Sequence, residues 1–486
     1  MSTLKRFFQD TVVYGFATVL PRLMNFILVP LHIDVLSTVG YSENTTFYIW
    51  AAFFNVILTY GMETAFFRYF SRSENKGQVF STAFISLTVS TLLFFIIIFL
   101  FREPIGDLVE LDPLYFNILL GILALDTLVV VPFAFLRASG KPLKFAGIKI
   151  VNIVLLVLAN FALLWFIPKF PDLLPDFVID NYSFEDQVQY IFIANLIASG
   201  VTFLILLPYF FRTKIDFNFG VFKQMWKYGW PVMVAGIAFV VNENLDKLLL
   251  KDMISESVMG AYAGCYKLAV FMTIFVQAFR LGAEPFFFNQ AKEKNARETY
   301  ARILTYFVIC GSLILIIMVI YLDFFKVIIV PNSDYWITIS IVPVVLLANL
   351  FLGIYHNLSV WYKLTDKTKV GMYISIVGAI VTIVLNIWLI PVLGFMAAAY
   401  ATLAAYGLMM IISYFLGRKY YPVPYNLKLV SLYIFLSTGL SFISFYFFPG
   451  NYLIGTAFVL LFLAIVFVQQ RKDLNQILTH DNKDHQ

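Results

Sequence analysis

Arg22 and Lys267 stand inside long apolar stretches of this 486-residue chain, where a charge is costly unless it faces a cavity or a partner. A guanidinium or ammonium held there can grip a phosphate through charge-assisted hydrogen bonds. Arg22 lies 11 residues from the start of its stretch and Lys267 lies ten from the start of its own. At about 1.5 Å per residue those are depths of roughly 16 and 15 Å, close to the middle of a hydrocarbon layer about 30 Å thick. Thr18, Arg22, Asn25 and His32 follow a 4-3-7 spacing, which places them on one helical stripe and makes Thr18 and Asn25 candidates to line a cavity. Pro21 and Pro30 would kink that helix or free backbone groups. The competing account of Arg22 is that it caps a freed carbonyl or pairs with a neighbouring acid.

The acids fall into three groups. Asp126 sits 12 residues from the outer start of its stretch, about 18 Å in at the same rise, and is either a protonation or ion site or the partner that neutralises a cation. Asn242, Glu243, Asn244, Asp246 and Lys247 form a dense polar run: Glu243 and Lys247 have the spacing of an intrahelical salt bridge. Asn242 and Asp246, on the adjacent face, suit a cation site or an outer gate. Glu63 and Glu284 close their helices near Arg68 and Arg280, which points to gate or interhelical salt bridges. His356 either titrates near neutral pH or is a hydrogen-bonded structural residue. Two mid-depth cations against one mid-depth acid lean toward an anionic head group followed by sugars or an apolar tail, and the abundant aromatic residues suit sugar rings. A cavity for lipophilic cations would instead carry uncompensated acids at its centre.

The elements that must position these residues are transmembrane helices. Apolar residues make up 61% of the chain and charged ones 13%, with mean hydropathy +0.84, far outside a soluble composition. Fourteen spans are expected, near 11–33, 44–66, 80–101, 114–136, 145–167, 189–211, 229–250, 257–279, 302–322, 335–361, 368–390, 394–416, 427–447 and 451–469. Counting Lys149, Arg302, Lys369 and Lys428, just inside span ends, with the gaps they adjoin, 27 of the 34 lysines and arginines fall in gaps and tails of one side, four in the opposite gaps, and three (Arg22, Lys247, Lys267) within spans. The positive-inside bias therefore predicts a multi-pass membrane protein with both termini in the cytoplasm. The first apolar run is too long for a signal peptide and reads as a retained span.

Several classes are excluded. The outer gap 168–188 is acidic, and the net charge of +5 is accounted for by orientation and contact with membrane lipids. No basic patch with readout side chains points to nucleic acid. Cys265 and Cys310 fall inside spans and read as small buried hydrophobes, and no Walker loop, H-E-x-x-H, paired C-x-x-C or G-x-S-x-G occurs. No enzyme, metal site or bound cofactor is therefore expected.

A weak duplication divides the chain. Tyr14-Gly15 recurs as Tyr228-Gly229, and Gly61-x-Glu63-x-x-Phe66-Phe67 recurs as Gly282-x-Glu284-x-x-Phe287-Phe288. Six spans separate the copies, so the halves share an orientation. The expected organisation is an all-α membrane protein with a six-helix half over 1–218, a second over 219–425, two extra helices over 426–470 and a polar tail over 471–486. The extra helices, free of charge from Leu429 to Val468, are expected at the periphery.

Length, span count, parallel halves and the segments Tyr14-Gly15 through Pro21-Arg22, Tyr228-Gly229-Trp230-Pro231 and Gly260-Ala261-Tyr262-Ala263 resemble the polysaccharide-transporter branch of the multidrug/oligosaccharidyl-lipid/polysaccharide (MOP) exporter superfamily. The resemblance implies a flippase for an undecaprenyl-pyrophosphate-linked oligosaccharide repeat unit (O-antigen, capsule or exopolysaccharide), working by alternating access through a positively charged cleft. Arg22 and Lys267 match the helices whose cations meet the pyrophosphate in related lipid II flippases, with lysine in place of the more familiar arginine at 267. It also implies coupling to H+, Na+ or membrane potential, with Asp126, Glu63 and Asp246 as candidate acids, and association with glycan polymerase or export machinery. A drug or metabolite antiporter of the same fold, and a membrane glycan polymerase or ligase, are the alternatives.

Overall fold

The computed structural model describes residues 20, 23–211, 216–291, 293–365 and 367–481, apart from the side chains of 281, 284, 285, 288, 289, 368 and 472–481. Its helices in the first part of the chain are α1 (Leu23–Val35), α2 (Thr38–Thr59), α3 (Met62–Arg72), α4 (Lys76–Leu100), α5 (Arg102–Val109), α6 (Pro113–Ala138), α7 (Pro142–Phe161), the short α8 (Ile167–Lys169) and α9 (Asp176–Asp180), and α10 (Val188–Phe210). There follow α11 (Phe219–Met253), α12 (Glu256–Tyr266), α13 (Val270–Gln290), α14 (Ala296–Ile320), α15 (Leu322–Ile329), α16 (Val342–Leu358) and α17 (Val360–Leu364). The last four are α18 (Thr368–Leu393), α19 (Phe395–Tyr420), α20 (Leu427–Phe447) and α21 (Tyr452–Asp481). No strand occurs among the described residues.

Local chemistry sets the ends. Asn75, Asp112, Asn218 and Asn426 each turn a side-chain oxygen onto a backbone N–H in the first turn of α4, α6, α11 and α20, and Pro113 and Pro142 open α6 and α7 where a missing N–H costs nothing. Gly394, with φ +59°, supplies the left-handed residue that separates α18 from α19.

Among the described residues, twelve helical stretches are long and apolar enough to cross a membrane, so the chain is an all-α multi-pass membrane protein. They correspond to twelve of the fourteen expected spans. The other two are the first, of which the described part is the 13-residue α1, and the seventh, α11. At 35 residues α11 has ample length, but its polar run from Asn242 to Lys247 lowers its apolar character.

The chain forms two compact units. The first comprises the chain up to Gly264 together with Asn332–Ile337 and Lys369–Ala398. Its core includes Phe47 stacked on Phe192 at 3.7 Å between centroids, and a cluster of Met62, Phe66, Phe80, Leu87 and Val131 joining α3, α4 and α6. Tyr335 donates to the carbonyls of Leu36 and Ser37, satisfying acceptors left over at the end of α1. Lys251 ties the end of α11 to the carboxylates of Glu110 and Glu256.

Gly260 faces α2 so closely that a Cβ there would overlap the Thr38 carbonyl oxygen, a backbone atom that cannot swing aside. Gly260→Ala is therefore expected to cost about 1–3 kcal/mol through overpacking. Thermal unfolding of the purified variant checks this; an unchanged transition would contradict the close approach.

The two copies of the Gly-x-Glu-x-x-Phe-Phe signature fold differently. Tyr60 and Gly61, both left-handed, break α2 from α3, whereas Gly282 lies inside the continuous α13. The break has a partner: Gly61 abuts the backbone of Gly229, while a Cβ at Gly282 would meet nothing within 4 Å.

In the second unit (Cys265–Pro331, Thr338–Thr368 and the chain from Ala399), α14 packs along both α16 and α20. Phe275 stacks on Phe307 at 5.0 Å. Of the two helices expected at the periphery, α21 is largely exposed along its membrane-length part, but α20 lies closely against α14. Cys265 is buried as expected, whereas Cys310 is exposed, since a position within a membrane span can face lipid as readily as a neighbouring helix.

Candidate functional site

The first unit encloses a cavity of about 670 Å³ whose polar lining comes from helical stripes in otherwise apolar helices. Asp126, Val130, Phe133 and Arg137 recur at offsets of 4, 7 and 11 along α6, one face of the helix. Phe145, Lys149 and Asn152 do the same on α7, and Asn195, Ser199 and Thr202 on α10, each at offsets of 4 and 7. Asn55 and Thr59 at the end of α2, with Glu63 and Thr64 of α3, complete the polar wall. Val232, Met233 and Gly236 of α11 supply an apolar side.

At the deep end, Ser199 adjoins the Asp126 carboxylate and the Lys149 ammonium lies near enough to act on it. Lys149 also sits over the Phe133 ring at 4.4 Å from its centroid. At the helix-end mouth, Arg137 pairs with Glu63 at 2.9 Å and lies over Phe67 at 4.8 Å. That ion pair is nearly half exposed, which limits its contribution to about 1 kcal/mol or less. Asp126 and Arg137 are 11 residues apart, so the polar wall runs roughly 16 Å along α6. Asp126 and Lys149 line the deep end and Glu63 and Arg137 pair at the mouth, with amides and hydroxyls between them. This arrangement can hydrogen-bond a hydroxyl-rich ligand and exchange ion-pair partners with an ionic one.

The other predicted residues are placed elsewhere. Asn242, Asp246 and Lys247 are buried in α11 of the first unit. Asn242 donates to the Ser375 carbonyl at 3.2 Å and accepts from Thr382 at 3.0 Å, fastening α11 to α18. Lys247 pairs with Asp246 at 3.1 Å and donates to the Glu243 main-chain carbonyl at 2.6 Å, while Tyr262 donates to the second Asp246 oxygen at 3.0 Å. Lys247 thus contacts Glu243, its expected partner, through the main-chain carbonyl and has the sequence-adjacent Asp246 as a carboxylate partner as well.

Glu63 bridges to Arg137 of α6, while Arg68, the arginine near it in sequence, lies over the Tyr228 ring at 4.5 Å. Asn25 is exposed on α1. Arg22 and Thr18 lie outside the described residues, as does the side chain of Glu284 in α13. Lys267, half-buried, opens a 3₁₀ turn over Lys267–Ala269 that interrupts the span Glu256–Arg280 between α12 and α13. Mid-helix 3₁₀ turns often mark hinges. Among the described residues, no group of three or more His, Cys, Asp or Glu side chains is placed to hold a metal ion.

Sequence reasoning missed Arg137, Lys149, Asn152, Asn195 and Ser199 as lining residues. For Asn152, Asn195 and Ser199 the signal was present: amide and hydroxyl side chains at 4- and 7-residue offsets in apolar helices.

A family model described as "Polysaccharide biosynthesis protein" matches residues 7–289, more than half of the chain, and a second, MatE, matches 231–388. Among solved structures, the fold is similar to a lipid II flippase, MurJ, in an inward closed conformation (TM-score 0.65, 17% identity, covering 94% of this chain and 99% of that one). It is also similar to an inward-facing multidrug resistance MATE family transporter of the MOP superfamily (0.65, 11%, 84% and 97%) and to the Vibrio cholerae MATE transporter VcmN in its bent form (0.57, 18%, 88% and 98%). No curated protein matches. The fold is that of the MOP superfamily of membrane transporters. The chain belongs to the polysaccharide biosynthesis protein family.

Proposed function

We propose that this chain is a flippase that carries an undecaprenyl-pyrophosphate-linked oligosaccharide repeat unit to the outer face of the bacterial inner membrane by alternating access. The observation that carries the reading is the chemistry of the first unit's cavity, where amides and hydroxyls from α2, α3, α7 and α10 surround two cations and two acids within an apolar bundle. Sugar hydroxyls both donate and accept, so such a lining suits a glycan. Family membership supports the same cargo.

In this reading both termini are cytoplasmic, the halves 1–218 and 219–425 rock about the cargo, and the polyprenyl tail stays in lipid. Arg22 and Lys267 take the pyrophosphate. The second role is supported by the place of Lys267 at the 3₁₀ turn that interrupts its span. Asp126 is the acid best placed for coupling to H+, Na+ or membrane potential, since it lines the cavity, whereas Asp246 is already bound by Lys247 and Tyr262. Glycan polymerase or export machinery would receive the product.

Cells carrying Arg22→Ala or Lys267→Ala at unchanged protein level are expected to lose glycan-repeat accessibility on the outer leaflet. Normal translocation in both would contradict the pyrophosphate role. The match of MatE to residues 231–388 favours one second reading, a cation-coupled drug or metabolite antiporter. It requires gradient-driven efflux of soluble cations from proteoliposomes.

A further inference from the structure

A second cavity, of about 420 Å³, lies wholly within the second unit where α14 begins, α20 begins and the membrane-length part of α21 ends. Three helix ends meeting at one level place it at the membrane–water interface, and the positive-inside bias assigns that interface to the cytoplasmic leaflet. Glu298 and Arg302 line it, four residues apart on one face of α14. This is a favourable order for an intrahelical salt bridge, yet among the described residues neither makes an ion pair or a side-chain hydrogen bond.

The rest of the lining offers both signs of hydrogen-bonding capacity. Gln470 is buried and gives its amide N–H to Tyr433 at 3.1 Å, which leaves its carboxamide oxygen as an acceptor. Asn426 spends its oxygen capping α20 at Leu429, which leaves its amide group as a donor. Donors at Arg302 and Asn426 suit a phosphate; acceptors at Glu298 and Gln470 suit an ammonium. The α14 pair is four residues apart, about 6 Å along the axis, a spacing compatible with two charges joined by a two-carbon linker. The exposed flank of α21 leaves room for acyl chains beside it.

We propose that this cavity binds the zwitterionic phosphoethanolamine head group of a membrane phospholipid, with Arg302 on the phosphate and Glu298 on the ammonium. A purely anionic head group would meet the Glu298 carboxylate with no cation to offer it. The site is separate from the transport cavity of the first unit and does not depend on what cargo is carried.

The test is native mass spectrometry of the purified full-length protein titrated with phosphatidylethanolamine or phosphatidylglycerol of identical acyl chains. The wild type is expected to bind phosphatidylethanolamine about tenfold more tightly, a difference of about 1.4 kcal/mol. Glu298→Gln should bring the two lipids to within about twofold of each other, and Arg302→Gln should weaken both. Equal binding of the two lipids by the wild type, or a preference that survives Glu298→Gln, would overturn the assignment. Lipid-free melting of each variant reports whether it folds. If either variant unfolds, competition on the wild type decides: soluble O-phosphoethanolamine should displace the lipid where inorganic phosphate at equal concentration does not. Failure to displace would equally overturn it.

Discussion

Lys247→Ala is expected to be among the most destabilising single substitutions in the first unit, costing about 3–5 kcal/mol, because it leaves the buried Asp246 carboxylate with no opposite charge. Asp246 is only 1% exposed and Lys247 7%, so water cannot replace the lost partner. The same substitution frees the Glu243 carbonyl that Lys247 holds from within the helix. The double variant Asp246→Asn/Lys247→Met should recover most of the loss, since it removes both charges and keeps a hydrogen-bonding side chain for Tyr262. Thermal unfolding in detergent measures both. A single variant as stable as the wild type, or a double variant no better than the single, would mean that the pair is not what α11 depends on at that depth.

The second large effect is on transport. Lys149→Met at unchanged protein level is expected to slow glycan translocation by about tenfold or more, the loss of one charge-assisted contact of about 1.5–3 kcal/mol. Asp126→Asn should act in the same direction while also altering the dependence on the driving ion, because Asp126 and Lys149 act on one another across the cavity wall. Arg137→Met, at the half-exposed mouth, should have the smaller effect. Rates measured as outer-leaflet glycan appearance over time rank the three. An Arg137 effect exceeding that of Lys149 would place the working end of the cavity at its mouth.

The spans were readable because a membrane imposes a length and a composition on helices, and twelve expected spans reappear with boundaries shifted by a few residues. The seventh shows the limit of that rule. Its cluster from Asn242 to Lys247 is tolerated because Ser375, Thr382 and Tyr262 satisfy it, and those partners are distant in sequence. That Asp246 also pairs with Lys247 was illegible for the same reason: helical spacing points to Glu243, and the sequence does not reveal that the surrounding helices bury Asp246. Asp126 was singled out by depth alone. Lys149 was counted with the adjoining gap, because distance from a span end does not reveal which way a helix face points, and only the packing of α6 beside α7 and α10 places it near Asp126. The break at Tyr60–Gly61 had no sequence signal that distinguished it from Gly282, since its partner, Gly229, lies 168 positions away from Gly61.

The most direct test of the account is reconstitution. The purified protein is placed in liposomes carrying a polyprenyl-pyrophosphate-linked oligosaccharide in one leaflet, and transbilayer movement is read as accessibility of the glycan to an external glycosidase. The account predicts movement with the wild type, abolished by Lys267→Ala and strongly slowed by Lys149→Met. Liposomes in which the glycan stays protected, while a soluble cationic dye is exported against an ion gradient, would contradict it.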